Sequence, residues 1–495
     1  MKKLCSFFVL LLVGLLCAQT SLAAGPYEAN WESLDSRPLP GWYQDAKFGI
    51  FIHWGIYAVP AWAPKGQYAE WYWNRMGGPL KGIPAEERKG EAWDFHVQNY
   101  GVDFEYQQFA PLFKAELFNP DQWAEIFKAA GAKYVVLTSK HHDGFCLFQS
   151  QEANRSWGQA WNSVDNGPHR DLLGDLGDAV RAAGLRMGFY YSLYEWYNPL
   201  WLTDRGLFVD KHMIPQFKDV VTRYNPSIIF SDGEWDMPSE DWKSPELLAW
   251  LFNESPCKDE VVVDDRWGKE TRHHHGSYYT TEYASGMDTG DHPWEESRGM
   301  GHSYGYNRNE SLADYRTSRE LILMFIDLIS RGGNLLLNVG PTADGRIPTI
   351  MQQRLRDMGS WLAVNGEAIY GTRPWRESRQ WSAGEIPQVQ YGDQYMVKYD
   401  INEVTKKSNE GKAVVEAFFT QKEGTVYAIC PNWPGKTFTI KQVTPSEKTQ
   451  ITMLGVDSPL SWKKTDAGIE IECPDLSPGE APCDYAYTFK LTSLQ

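Results

Sequence analysis

Asp232 ends the apolar run PSIIFSDGEWD (226–236), immediately before Gly233. A carboxylate at a strand end is placed to act as a nucleophile; the plain alternative is a cap on the following turn. Glu282 in GSYYTTEY and Glu295 in DHPWEES supply a second carboxyl group. Such a pair cleaves glycosidic bonds: one group protonates the leaving oxygen while the other attacks the anomeric carbon or activates water. Separations of ~5–5.5 Å go with retention and ~6.5–9.5 Å with inversion. His53 in FGIFIHWG and the pair His141–His142 in KYVVLTSKHHDGF stand at two further breaks. Neutral imidazoles donate to and accept from vicinal hydroxyls; a metal is the rival ligand. Neighbouring strand residues point to opposite faces, so His141 and His142 share one target only at an irregular strand end. Glu70–Trp71–Tyr72 joins a carboxylate to a stacking ring, and Arg266 follows VVVDD, where it orients a carboxylate or forms an ordinary salt bridge. His273–His275 lie in the polar stretch GKETRHHHG and read as loop rather than as a metal site.

Placing these groups together is a task for the elements that carry them. Strand-like runs at 48–55, 133–140, 185–193, 226–232, 259–267, 276–283 and 332–340 alternate with helix-like segments at 119–132, 171–184, 211–224, 245–255, 311–330 and 346–366. That alternation implies parallel βα units. An irregular (β/α) TIM-like barrel is the expected closure, with the polar residues at its mouth. Seven strands are clear and an eighth is not evident. A doubly wound sheet would carry a Gly-rich turn after its first strand, and HWGIYAVPAW has none. Near 371–374 the pattern changes to alternating runs between Gly, Pro, Asn and Asp turns, which reads as an antiparallel β-sandwich. The expected division is 1–23 leader, 24–372 barrel and 373–495 sandwich, with 77–94 an exposed loop.

Composition narrows the function classes. The formal charge is −16, and losing Lys2 and Lys3 with the leader makes it −18. An acidic surface argues against nucleic acid and anionic membranes. Residues 1–23 carry two lysines, an apolar run and small residues, the pattern of a secretory signal rather than a membrane span. The expected location is periplasmic or extracellular, and Leu16 argues against lipid attachment at Cys17. Five cysteines remain after cleavage, and only Cys473 and Cys483 are close enough in sequence to suggest a disulfide. The 22 tryptophans suit stacking on sugar rings or the packing of a large barrel. A homo-oligomer is left open.

The segments GWYQDAKFGIFIHWGIYAVPAW, AEWYW, AAGAKYVVLTSKHHDGF, GPHRDLLGDL, IIFSDGEW, VVVDDRWG, GGNLLLNVGPTADG and NGEAIYGTRPW, in this order, resemble the α-L-fucosidases of glycoside hydrolase family 29. The resemblance runs from about Trp42 to the C-terminus and implies exo-acting, retaining hydrolysis of terminal α-L-fucosyl residues on glycans, with no cofactor and no metal. It implies Asp232 as nucleophile and His53, Glu70, Trp71, His141 and His142 as holders of fucose hydroxyls. One of Tyr190 and Tyr191 fills a tyrosine position, with Tyr191 favoured. Arg266 matches an arginine near the acid/base, and Phe230 stands where many members have Trp. TTEY selects Glu282 as acid/base; PWE offers Glu295 as the alternative, with Pro293 and Ser297 departing from that signature. The rival readings are a catalytically inactive fucose-binding protein and a metal-dependent hydrolase using the three histidines.

Overall fold

The computed structural model describes residues 26–495 except 78–83, 85–86, 289, 291, 389, 392–396, 399 and 408–410. The leader and Cys17 lie outside the described residues, as does most of the first half of the segment read as the 77–94 loop. Residues 91–94 of that segment are helical, opening a helix over Glu91–Tyr100.

Eight parallel strands form the first sheet: β1 (Phe48–Ile52), β2 (Tyr134–Lys140), β3 (Arg186–Ser192), β4 (Ile228–Asp232), β5 (Val262–Val263), β6 (Tyr279–Glu282), β7 (Trp294–Gly299) and β8 (Asn334–Val339). Their order is β5-β4-β3-β2-β1-β8-β7-β6. The two ends of this order meet at a seam: Ser277 N donates to Val263 O at 3.0 Å and Val263 N to Ser277 Oγ at 3.2 Å. β5 is short because Asp264 and Asp265 leave the ladder. Asp264 accepts from Ser231 Oγ at 2.6 Å and Asp265 from Thr280 Oγ1 at 2.7 Å. The irregular (β/α) barrel expected from the sequence is therefore present.

The eighth strand is β7, WEESRG, which the sequence pattern hid because four of its six residues are polar or charged. All six are buried. Glu296 accepts from Thr281 Oγ1, and Arg298 Nη1 donates to Ala284 O at 3.1 Å, so the strand's outward charges are met inside the fold.

Alternation along the strands builds two clusters. Phe51, Tyr134, Val136, Tyr190, Ile228 and Phe230 pack inside the barrel. Ile50, Ile52, Val135, Leu137, Phe189, Tyr191 and Ile229 face outward onto helices through residues such as Leu176, Phe217, Val220 and Leu321. Those helices start where side-chain caps allow. Asn119 caps Pro120–Ala129, Asp171 caps Leu172–Ala182, and a Thr317–Glu320 capping box opens Ser318–Ser330. The last of these starts seven residues later than the sequence pattern suggested.

After the helix Thr349–Asn365 the chain enters β9 (Arg373–Trp381), and β10 (Gln390–Tyr391) pairs with β11 (Val397–Lys398) in a separate two-stranded ribbon. There β9, β12 (Val415–Lys422), β13 (Thr425–Cys430), β18 (Tyr487–Leu494) and β15 (Pro445–Met453) form a five-stranded antiparallel sheet. It faces a three-stranded sheet of β14 (Thr437–Lys441), β17 (Gly468–Glu472) and β16 (Trp462–Thr465) across a core that includes Phe419, Ile440, Ile471 and Phe489. The outer face of the larger sheet joins the barrel's own core through Val415, Phe418, Tyr427 and Ile429. Arg379 reaches Asp327 at 2.6 Å, and Trp361 Nε1 donates to Ala486 O at 3.0 Å.

Cys473 and Cys483 are free thiols, which corrects the disulfide suggested by their spacing. Cys473 packs on the inter-sheet core and Cys483 on the barrel-side core, so the five-stranded sheet lies between them. Among the described residues no helix is long and apolar enough to cross a membrane.

Candidate active site

A cavity of about 130 Å³ opens at the C-terminal ends of the strands. His53, Glu70, Trp71, His141, Phe230, Asp232, Arg266 and Glu282 line it, with Phe51, Tyr68, Tyr190, Trp235, Ser297 and Tyr304. Volume of that order suits one pyranose ring.

Asp232 is inward-facing because it shares parity with Ile228 and Phe230 on β4. Its Oδ1 accepts from Arg266 Nη1 at 2.9 Å and its Oδ2 from Tyr190 Oη at 2.9 Å. His142 Nε2 lies 3.4 Å from Oδ2 and Arg272 Nη2 3.8 Å from Oδ1. Burial alone would raise its pKa; Arg266, His142 and Arg272 outweigh that and hold the carboxyl well below the usual carboxylate range. An ionised, acceptor-rich carboxylate is the form a nucleophile requires.

Arg266 joins this group to the second carboxylate. Its Nε donates to Thr280 Oγ1 at 3.0 Å and its Nη2 to Glu282 Oε2 at 3.3 Å. Its guanidinium also covers the Phe230 ring at 4.8 Å. Tyr68 Oη donates to the other oxygen of Glu282 at 2.9 Å. One rigid fork thus fixes Asp232 and Glu282 across the mouth of the cavity.

Glu295 lies elsewhere. It is fully buried on β7, where Tyr134 Oη donates to its Oε2. Ser297, two residues further along the same face, lines the cavity. Glu295 therefore sits a layer below the floor, inside the barrel. Burial pushes its carboxyl from 4.5 up to about 8. The folded state keeps a proton that the unfolded chain releases, so this contribution to stability is complete below about 4.5 and is lost as pH rises toward 8. Raising pH from 6 to 8 should cost about 2–3 kcal/mol through this group. Chemical unfolding at both pH values checks it: Glu295→Gln is expected to show a smaller loss than the parent.

His53 and His141 line the cavity, and His142 lies beside them next to Asp232. β2 carries a register shift between Thr138 and Lys140, the irregular strand end that two adjacent histidines need. Their rings lie 4.2 Å apart. His141 stacks on Tyr190 at 5.5 Å, and its Nδ1 is buried without a partner. Ser192 Oγ gives its proton to Tyr194 O at 2.6 Å, so it accepts from His142 Nδ1 at 2.6 Å. His53 Nδ1 meets Asn338 Oδ1 at 2.8 Å while Asn338 Nδ2 donates to Tyr304 O at 2.6 Å. His53 Nδ1 is thereby the donor, and Nε2 is left as an acceptor. Burial drives its pKa down to about 3, so the ring is neutral. Glu70 Oε2 accepts from Gly305 N at 2.8 Å, and burial raises its carboxyl to about 7.

No three His, Cys, Asp or Glu side chains gather so as to hold a metal ion among the described residues. His273 and His275 stand in a loop, the first against Thr280 O at 2.8 Å and the second stacked on Trp31 at 4.4 Å.

Residues 15–367 match the family model for α-L-fucosidase, and residues 411–492 match that for the α-L-fucosidase C-terminal domain. The chain belongs to the α-L-fucosidase family. It is 42% identical over 484 residues to tissue α-L-fucosidase of Mus musculus, covering 96% of each chain. It is 39% identical to α-L-fucosidase of Dictyostelium discoideum, covering 100% of each. Among solved structures, Thermotoga maritima α-fucosidase in complex with fucose matches with a TM-score of 0.73 at 33% identity, over 94% of this chain and 100% of that one.

Within this fucosidase fold one expectation is corrected. Tyr191, the favoured tyrosine, faces outward on β3, with its Oη 2.9 Å from Gln216 Oε1. Its neighbour Tyr190 faces inward and donates to Asp232. Strand parity is the reason: Tyr190 pairs with Phe230 and Ser192 with Asp232. Sequence reasoning also passed over Tyr68, Tyr304, Trp235 and Arg272. Tyr68 stands two residues before Glu70, close enough to the AEW segment to have been found. Tyr304 and Arg272 sit in loops whose return to the mouth no local pattern announces.

Proposed function

We propose that this protein is an exo-acting, retaining α-L-fucosidase that removes terminal α-L-fucosyl residues from glycans by double displacement. The observation that carries this reading is the Arg266 fork joining Asp232 and Glu282 across a cavity of one-sugar size. In the first step an Asp232 oxygen attacks the anomeric carbon. The bond to the leaving oxygen breaks as Glu282 gives it a proton. In the second step Glu282 takes a proton from water, whose oxygen attacks the same carbon and releases Asp232. Two inversions give net retention, and the separation of about 5–5.5 Å that retention needs is within the span of one guanidinium and its two contacts.

Hydroxyl binding falls to His53, His141, His142 and Glu70 in this reading. His53 Nε2 accepts from a sugar hydroxyl, and Glu70, raised toward neutrality, donates as well as accepts. Phe230, Tyr304 and Trp71 offer the apolar wall that a 6-deoxy sugar's methyl requires. Tyr190 replaces Tyr191 as the tyrosine that orients Asp232. The barrel, taken as residues 24–372, carries the chemistry, and the sandwich at 373–495 braces it. Residues 1–23 support export, to a periplasm or the extracellular space.

The test is hydrolysis of an aryl α-L-fucoside and of linkage-defined fucosyl oligosaccharides, with the first-formed anomer followed by NMR. α-Fucose appearing first is the expected result. β-Fucose first would mean inversion, and binding without release of fucose would mean an inactive lectin-like protein.

A further inference from the structure

The cavity holds one ring, so the leaving group of any fucoside must lie at its rim. Trp235 stands on that rim, in the turn that follows β4. It is 38% exposed, and it is the one aromatic among the large exposed apolar side chains of the described residues. Its ring centre lies 5.4 Å from that of His142, 5.7 Å from Tyr194 and 6.0 Å from Trp71.

The turn is built to hold it there. Gly233 has φ +77°, and a Cβ on it would come 2.4 Å from the Tyr194 ring. That backbone reverses direction where side chains rarely allow it. Glu234 then turns inward, almost fully buried. Its Oε1 accepts from Arg272 Nε at 2.7 Å, and its carbonyl accepts from Trp242 Nε1 at 3.0 Å. Asp236 is tied to Arg205 at 3.1 Å. With 234 pulled in and held by Arg272 and Trp242, Trp235 is presented outward from the turn, three residues from the nucleophilic carboxylate. A single exposed apolar residue is ordinary on a protein surface; one set by a buried, hydrogen-bonded neighbour beside the nucleophile is not.

We propose that Trp235 is the platform of a leaving-group subsite, which binds a neutral hexopyranose or N-acetylhexosamine by stacking on its C–H face. Arg272 borders the same rim. Held by Glu234 and partly exposed, it offers guanidinium donors to the hydroxyls of that second sugar. This rests on the fucosidase reading above. Pre-fixing the ring lowers the ordering cost of binding, and the gain falls on the bond-breaking step only when a second sugar is present.

The experiment compares the parent with Trp235→Ala and Trp235→Phe on two substrates, α-L-fucosyl fluoride and a fucosyl disaccharide. Fluoride leaves the rim empty; the disaccharide fills it. The ratio of kcat/KM for the disaccharide to that for the fluoride is expected to fall about tenfold in Trp235→Ala and to recover most of that in Trp235→Phe. An unchanged ratio in Trp235→Ala overturns the subsite, whether both rates fall together or neither does. Failure of the parent to turn over the fluoride would instead undo the fucosidase reading.

Discussion

Replacing Asp232 by Ala is expected to cut kcat on an aryl α-L-fucoside by at least about 10⁴-fold, because the covalent route then has no attacking group. Added azide is expected to restore turnover and to give β-L-fucosyl azide, formed by attack from the face that the carboxylate vacated. Asp232→Asn is the companion variant. It keeps the shape between Arg266 and Tyr190, and so separates lost chemistry from the cost of leaving a buried guanidinium unpaired. Thermal unfolding of both variants shows which cost is being read. Turnover retained near the parent level in Asp232→Asn would contradict the nucleophile assignment.

The second large effect belongs to Glu282. With Ala there, a fucosyl disaccharide should lose about 10³-fold in kcat/KM, within the range general acid catalysis supplies. A nitrophenyl fucoside should lose far less, because its leaving group departs without a proton. Azide should here give the α-L-fucosyl azide, since it replaces water in the second step and Asp232 is intact. The anomer of the azide thus tells the two carboxylates apart. Glu295→Gln should show no such leaving-group dependence. Glu295 is sealed below the floor by Tyr134 and Ser297; the same pattern in Glu295→Gln would reverse the choice.

Much of this site is legible in the chain because strand ends make legible signals. The runs before His53, His141 and Asp232 are apolar, short and cut off by polar residues, and the barrel delivers all three to one mouth. Strand β7 was not legible for the opposite reason. Glu295, Glu296 and Arg298 break its hydrophobic pattern, yet Tyr134, Thr281 and Ala284 receive them inside the fold. Such partners come from other elements and leave no local trace. β9 and β16 lack a clear alternating pattern on different grounds. Both are sheet edges rich in charge, as edge strands tend to be. The Tyr190–Tyr191 choice turned on register: both are aromatic, and only pairing with β4 says which one faces Asp232. Arg266 was visible as a motif residue, but its triple use by Thr280, Asp232 and Glu282 is a property of the seam between β5 and β6.

The central claim is a covalent bond between the fucosyl carbon and Asp232. On incubation with 2-deoxy-2-fluoro-α-L-fucosyl fluoride, the fluorine at C2 slows both steps while the reactive fluoride leaving group speeds the first, so the intermediate accumulates. Peptide mass mapping of the quenched protein reads it directly. The predicted result is one 2-fluorofucosyl group per chain, on the peptide that carries Asp232, and none on Asp232→Asn. A label on the Glu282 peptide instead, or steady turnover to β-fucose with no label, would contradict the account.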